Sequence, residues 1–86
     1  MVNSVQFNMA ADIVKKLTVS PTNDELCILY GLYKQATIGN INIVKPNFYQ
    51  FKDIAKWESW NNNMGLSVYD AEVNYIKYVN SLIKKY

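Results

Sequence analysis

The chain is 86 residues long, 50% hydrophobic and 19% charged, which describes one small globular domain rather than a disordered segment. Its formal net charge of +2 is mild, and all nine basic residues are lysines. No dense basic stripe is present for general nucleic-acid binding, no arginine for bidentate anion recognition, and no histidine for general-base catalysis or metal ligation.

Cys27 is the only cysteine, so an internal disulfide and a four-cysteine metal site are both excluded, and a reducing compartment is the natural setting. No window approaches the roughly eighteen apolar residues of a membrane span. These features lead to the expectation of a cytoplasmic protein, and the lack of a heptad seam to that of a monomer.

Four helices are expected in a single domain covering residues 1–86. The first runs from about Val5 to Leu17, with Phe7, Ala10, Ala11, Val14 and Leu17 on one stripe and Asn3 or Ser4 as its cap. Pro21 separates it from "TNDE" at 22–25, a capping box in which Thr22 and Glu25 satisfy each other's backbone N–H groups. The second helix carries Leu26, Leu29, Tyr30, Tyr33 and Thr37 on one face and stops at Gly39, a natural left-handed terminator. Gly31 inside it costs about 1 kcal/mol against alanine, which close approach by a ligand or another backbone would explain.

"NINIVKPN" at 40–47 alternates weakly, but Pro46 and the asparagines favour a loop. The third helix spans about Gln50 to Asn62, with Phe51, Ile54, Ala55 and Trp57 facing inward; Trp57 and Trp60 read as structural. "SVYD" at 67–70 is a second capping-box variant, opening a helix that runs to the C-terminus and buries Ala71, Tyr75, Ile76, Val79, Leu82 and Ile83.

Tyr30, Tyr33 and Lys34 stand at i, i+3 and i+4 and share a helix face; Lys52 and Lys56 are similarly related on the third helix, and Lys15 closes the first. Taken singly, each lysine is an ordinary solvated charge and each tyrosine an ordinary boundary residue. Together on converging helices they would form a pocket for a phosphorylated nucleotide, ammonium groups pairing with phosphate and a ring stacking on the base. Asp12, Asp53 and Glu58 form no carboxylate pair for acid–base work, and Cys27 has no histidine to activate it.

The segments "YGLYKQATIGN" (30–40), "AKWESW" (55–60) and "GLSVYDAEVNYI" (65–76), with a Pro46-containing loop between the first two, resemble the acyl-CoA-binding protein family. The resemblance runs from Phe7 to the final "KKY". It implies an all-α, four-helix up-down-down-up bundle whose bowl-shaped site holds long-chain acyl-CoA. Carried over by position, it implies that Tyr30, Lys34 and Lys56 hold the ribose 3′-phosphate and that Tyr33 stacks on adenine. Lys15 and Lys52 would lie near the polar part of the ligand and Tyr75 would line the site, with Gly31 and Leu32 of the Tyr-x-x-Tyr-Lys motif in the same ligand-binding set.

The implied function is an intracellular carrier and pool former for acyl-CoA. It needs neither enzymatic activity nor a metal or cofactor, and it involves transient contact with membranes or acyl-CoA-using enzymes. Asn40 stands where the family has aspartate, and Asn47 where it has glycine, although asparagine tolerates positive φ. Cys27 takes an apolar position near the binding face. The rival from another class is a helical module that uses the same aromatic face to bind a protein or a membrane.

Overall fold

The computed structural model describes residues 3–86; Met1 and Val2, included in the single domain expected from the sequence, lie outside the described residues. The four helices are α1 (Val5–Val14), α2 (Asn23–Thr37), α3 (Phe51–Asn61) and α4 (Val68–Lys85). Three begin at side-chain caps: Ser4 accepts from the Phe7 N–H, Thr22 and Glu25 form the reciprocal box, and Ser67 accepts from the Asp70 N–H. At Ser67 only this half of the expected box forms. The first helix stops at the Lys15 cap, three residues short of the expected end, because Lys16 N–H turns back to the Ile13 carbonyl at 2.9 Å. Gly39 adopts φ +99° beyond α2, as its position required.

The chain directions follow from which residues meet. Along α2 and α3 the pairs advance together: Leu26 and Cys27 share a groove with Phe51 and Ala55, Lys56 lies over Tyr30, and Lys34 lies over Trp60. These two helices are parallel. The α1–α4 pairs also advance together, from Ser4 with Glu72 to Phe7 with Tyr75. Between α2 and α4 the order reverses, with Glu25 beside Lys85 and Tyr33 beside Tyr75. The arrangement is therefore up-down-down-up, with contacts in the spatial order α1, α4, α2, α3.

Parallel neighbours in sequence need a return path, and residues 38–50 supply it over the roughly 22 Å length of α2. Both tryptophans fasten this connection to α3: Trp60 Nε1 donates to the Gly39 carbonyl at 2.8 Å and Trp57 Nε1 to the Ile43 carbonyl at 2.9 Å. The molecule measures 34 × 31 × 15 Å, a flat body whose central helix, α2, is enclosed by α4 on one side and α3 on the other.

Several sequence expectations need correction. Phe51 is 77% exposed rather than inward, and Trp60 is the one fully buried residue of α3. Leu26, Leu29, Tyr30 and Tyr33 do share one face of α2, but Leu26 and Tyr33 are 44% and 41% exposed on it, and the buried residues of α2 include Leu32, Gln35 and Ala36 as well as Leu29. Ile83 is exposed, whereas Glu72 is buried and accepts from Asn3 Nδ2 and the Ser4 N–H. Asn47 has no positive φ; it works through its side chain, donating from Nδ2 to the Tyr49 hydroxyl.

Gly31 has a structural explanation. A Cβ there would run into the Ser59 carbonyl oxygen and sit 2.6 Å from its carbon. The missing side chain lets the α2 and α3 backbones touch.

Candidate functional site

The face of α2 that points neither at α3 nor at α4 forms the floor of a concavity of about 470 Å³. It is walled by Ala11, Val14 and Lys15 of α1 and its cap, Leu26, Leu29, Tyr30 and Tyr33 of α2, Lys56 of α3 and Tyr75 of α4. All four helices contribute, which is why no single stretch of sequence contains the site. A second hollow, about 400 Å³, shares Leu26 and Lys56 with the first and continues between α2 and α3 along Cys27, Phe51, Lys52 and Ala55. A polar-rimmed bowl thus opens into a largely apolar groove.

The aromatic floor is built in layers. Phe7, 1% exposed, supports Tyr33 with ring centroids 5.6 Å apart and planes 25° from parallel. Tyr75 closes the triangle at 4.9 Å from Phe7 and 6.0 Å from Tyr33. Tyr33 therefore rests on a rigid underlayer while its own ring is open to solvent, the geometry a flat ligand needs for stacking.

Burial, and next the neighbouring Tyr33, push the Tyr75 hydroxyl up to about 12, so it stays protonated at neutral pH. Tyr75 lines the concavity, where its hydroxyl can donate to a bound molecule.

The cations gather around Tyr30. Lys56 Nζ lies 5.5 Å and Lys34 Nζ 5.8 Å from its ring centroid, and Lys34 is also 5.7 Å from the Trp60 ring. The ion pairs among the described residues are Lys45 with Glu58 and Lys85 with Glu25; Lys15, Lys34, Lys52 and Lys56 take part in neither. Four lysines stand near two connected hollows in which Asp24, at the α2 end of the groove, is the one lining carboxylate, so the balance of charge favours an anion.

Of the residues singled out from the sequence, the structure brings Lys15, Tyr30, Tyr33, Lys56 and Tyr75 into one wall, places Lys34 beside Tyr30, and sets Lys52 in the adjoining groove. It does not bring Gly31 or Leu32 there. Gly31 is covered by the α3 backbone, and Leu32, 8% exposed, turns to the far side of α2 beside Ile28 and Ser59. The motif that contains them is helical, so each residue turns about 100° from the last and Gly31 and Leu32 leave the face that Tyr30, Tyr33 and Lys34 share. Sequence reasoning missed Ala11, Val14, Leu26 and Leu29 as lining residues, because an apolar stripe does not say whether core or ligand covers it.

The network around Asn40 fixes the end of α2. Its Oδ1 accepts from Gln35 Nε2 at 3.0 Å and from the Gly65 N–H at 2.8 Å. Asparagine in place of aspartate keeps the acceptor that both donors require.

Comparison with known proteins agrees with this geometry. The acyl CoA binding protein family model matches residues 4–79. Acyl-CoA-binding protein 2 of Saccharomyces pastorianus is 49% identical over 80 residues, covering 93% of this chain and 92% of that protein. A Drosophila melanogaster acyl-CoA-binding protein homolog is 46% identical over 83 residues, covering 96% of each. The solution structure of the yeast acyl coenzyme A binding protein superposes with a TM-score of 0.78 at 47% identity, covering 96% of both chains. The crystal structure of Oryza sativa acyl-CoA-binding protein 2 gives 0.88 at 35% identity, covering 93% of this chain and 87% of that one. A four-helix body with a lysine-rimmed aromatic bowl, matched by family and by relatives over nearly its whole length, places this chain in the acyl-CoA-binding protein family.

Proposed function

We propose that the protein binds long-chain fatty acyl-CoA and acts as a non-enzymatic carrier and pool former. The observation that carries this reading is the continuity of the two hollows: unpaired lysines and clustered tyrosines at one end, a mainly apolar trough at the other. Acyl-CoA has the same two ends. Lys34, one turn beyond Tyr30 on α2, and Lys56, across from it on α3, take the ribose 3′-phosphate with help from the Tyr30 hydroxyl; Tyr33 stacks on adenine above Phe7. Lys15 and Lys52 meet the remaining polar groups, and Tyr75 donates its hydroxyl. Gly31 and Leu32 serve by setting the α2–α3 spacing rather than by touching the ligand.

Each buried methylene is worth about 0.8 kcal/mol, so a covered chain of about sixteen carbons supplies on the order of 10 kcal/mol before ordering costs. A phosphate–lysine contact away from water adds about 1–3 kcal/mol. The headgroup therefore sets identity and the chain much of the affinity. The protein sequesters the ester, shields its thioester and releases it to membranes or acyl-CoA-using enzymes, as a cytoplasmic, monomeric, single-domain protein. No helix is long and apolar enough to cross a membrane among the described residues.

Calorimetric titration with palmitoyl-CoA, below its micelle concentration, tests the reading, with free CoA and palmitate as controls. One-to-one binding of the ester far tighter than either control is expected. Tyr33→Ala and Lys34→Ala should each weaken it at least about tenfold with helix content unchanged. Equal affinity in the folded variants would refute the headgroup assignment, and a folded protein that ignores the ester would refute the function.

A further inference from the structure

The connection between α2 and α3 ends in a cluster of apolar side chains turned toward solvent. Val44 is 90% exposed, Phe48 84%, Phe51 77% and Tyr49 63%. Exposure of this degree is ordinary in a loose loop, yet this one is fastened. The Gln50 N–H donates to the Asn47 carbonyl at 2.9 Å, and the Asn47 N–H donates back to Gln50 Oε1 at 3.1 Å. Asn47 Nδ2 donates to the Tyr49 hydroxyl at 3.1 Å, and Phe48 and Tyr49 meet edge to face at 5.7 Å. Upstream, Trp57 Nε1 holds the Ile43 carbonyl. A tight, hydrogen-bonded turn thus holds its rings outward.

Its charges lean positive. Between residues 42 and 58 stand Lys45, Lys52 and Lys56 against two acids, Asp53 and Glu58. Asp53 is itself engaged by Gln50 Nε2 at 3.4 Å, and Lys45 shares Glu58 at 3.9 Å with both groups half open to solvent.

We propose that this tip is a docking surface for a lipid bilayer bearing anionic headgroups, with Phe48, Tyr49 and Phe51 entering the headgroup layer and Lys45 and Lys52 meeting lipid phosphates. Protruding rings flanked by lysines fit the interfacial zone, where aromatic side chains settle and basic residues gain from anionic lipid. Continuity with the binding groove favours a bilayer over a protein partner. Phe51 and Lys52 belong both to the tip and to the trough beside Cys27, so a docked tip sets the mouth of that trough at the depth where acyl chains partition. This last step rests on the ligand proposed above; the docking surface itself does not.

Flotation of the ligand-free protein with phosphatidylcholine vesicles, with and without phosphatidylserine, tests it. Binding to the anionic vesicles is expected, weaker to the neutral ones and reduced by salt. Val44 and Phe48 line neither hollow, so the double variant V44S/F48S should keep the wild-type affinity for palmitoyl-CoA in solution. Its vesicle binding should fall at least about tenfold. Met9→Ser, which removes an exposed apolar side chain from α1, should leave flotation unchanged.

A wild type that does not float, a double variant that floats normally, or an equal loss in Met9→Ser would overturn the proposal. So would capture of a protein partner by the tip without vesicle binding. Failure of the palmitoyl-CoA titration with flotation intact would refute the ligand reading alone.

Discussion

Gly31→Ala is the substitution on which helix propensity and tertiary structure disagree in sign. In an isolated helix, alanine for glycine is worth about 1 kcal/mol in favour of folding. Here the new Cβ would meet the Ser59 carbonyl oxygen, its carbon at 2.6 Å and Trp60 N at 3.0 Å. Ordinary contacts between such atoms are about 3.5–4.0 Å, so α2 and α3 must part locally by about 1 Å. All three obstructing atoms are backbone and cannot rotate away. Forced separation in a close-packed contact costs about 1–3 kcal/mol, and more where no side chain can yield. The expected net effect is a loss of about 1–2 kcal/mol. With a urea m-value of about 1 kcal/mol/M for a small domain, the unfolding midpoint should drop by about 1–2 M. The same displacement carries Lys56 away from Tyr30, so palmitoyl-CoA affinity should also weaken, by less than in Lys34→Ala. An unchanged or raised midpoint with an unchanged m-value would show that the helices have room, and the explanation of Gly31 would fail.

Glu25 joins the start of α2 to the C-terminus: Lys85 Nζ donates to it at 2.8 Å, with the Tyr86 hydroxyl and the Thr22 N–H as further donors. Chiefly the Lys85 hydrogen bond, then those of Tyr86 and Thr22, lower its carboxyl from 4.5 to about 2. A depressed folded pKa gives stability that is complete above about pH 4.5 and lost progressively as the pH falls toward 2. Glu25→Gln should lower stability at neutral pH and flatten the decline between these limits in urea titrations; an unaltered acid limb would show that Glu25 does not drive it. Asn40→Ala strands a buried donor on Gln35 and should cost about 1–3 kcal/mol by the same assay, while Asn40→Asp, which keeps the acceptor, should be nearly neutral. Equal losses in the two variants would put the effect in something other than the acceptor oxygen.

The legible parts of the sequence were those governed by local rules. Thr22 with Glu25, Ser67, and Gly39 all act within a few residues of themselves, and each performs at its helix end as its chemistry required. The face assignment on α2 held, but what covers that face was not legible. A hydrophobic stripe reveals that a helix has an apolar side, but it does not say whether protein or ligand covers that side. Leu26 and Tyr33 obey the 3.6 period perfectly well and are still 44% and 41% exposed. Phe51, by contrast, was misplaced: it starts a helix at the rim, where the neighbouring helix offers a groove instead of a seat. Glu72 was invisible because its donors, Asn3 and the Ser4 N–H, lie nearly a whole chain length away.

The position of α2 between α4 and α3 turns that ambiguity into an argument about function. A central helix flanked on two sides needs apolar residues on both, and buried Leu29, Leu32 and Ala36 supply them, with Gln35 buried among them through its hydrogen bonds. Leu26, Tyr30 and Tyr33 form a third apolar strip that no helix covers. Water-facing apolar surface of this kind gains free energy only when something apolar covers it. The same strip is bordered by Lys15, Lys34 and Lys56, which share neither ion pair of the described residues. A protein interface of ordinary composition would pair such charges or keep them at an outer rim. Apolar floor and unneutralised cations over one concavity are instead complementary to a single molecule that carries a long hydrocarbon chain and several phosphates. Packing thus accounts for two faces of α2, and the ligand proposed above is what fits the third.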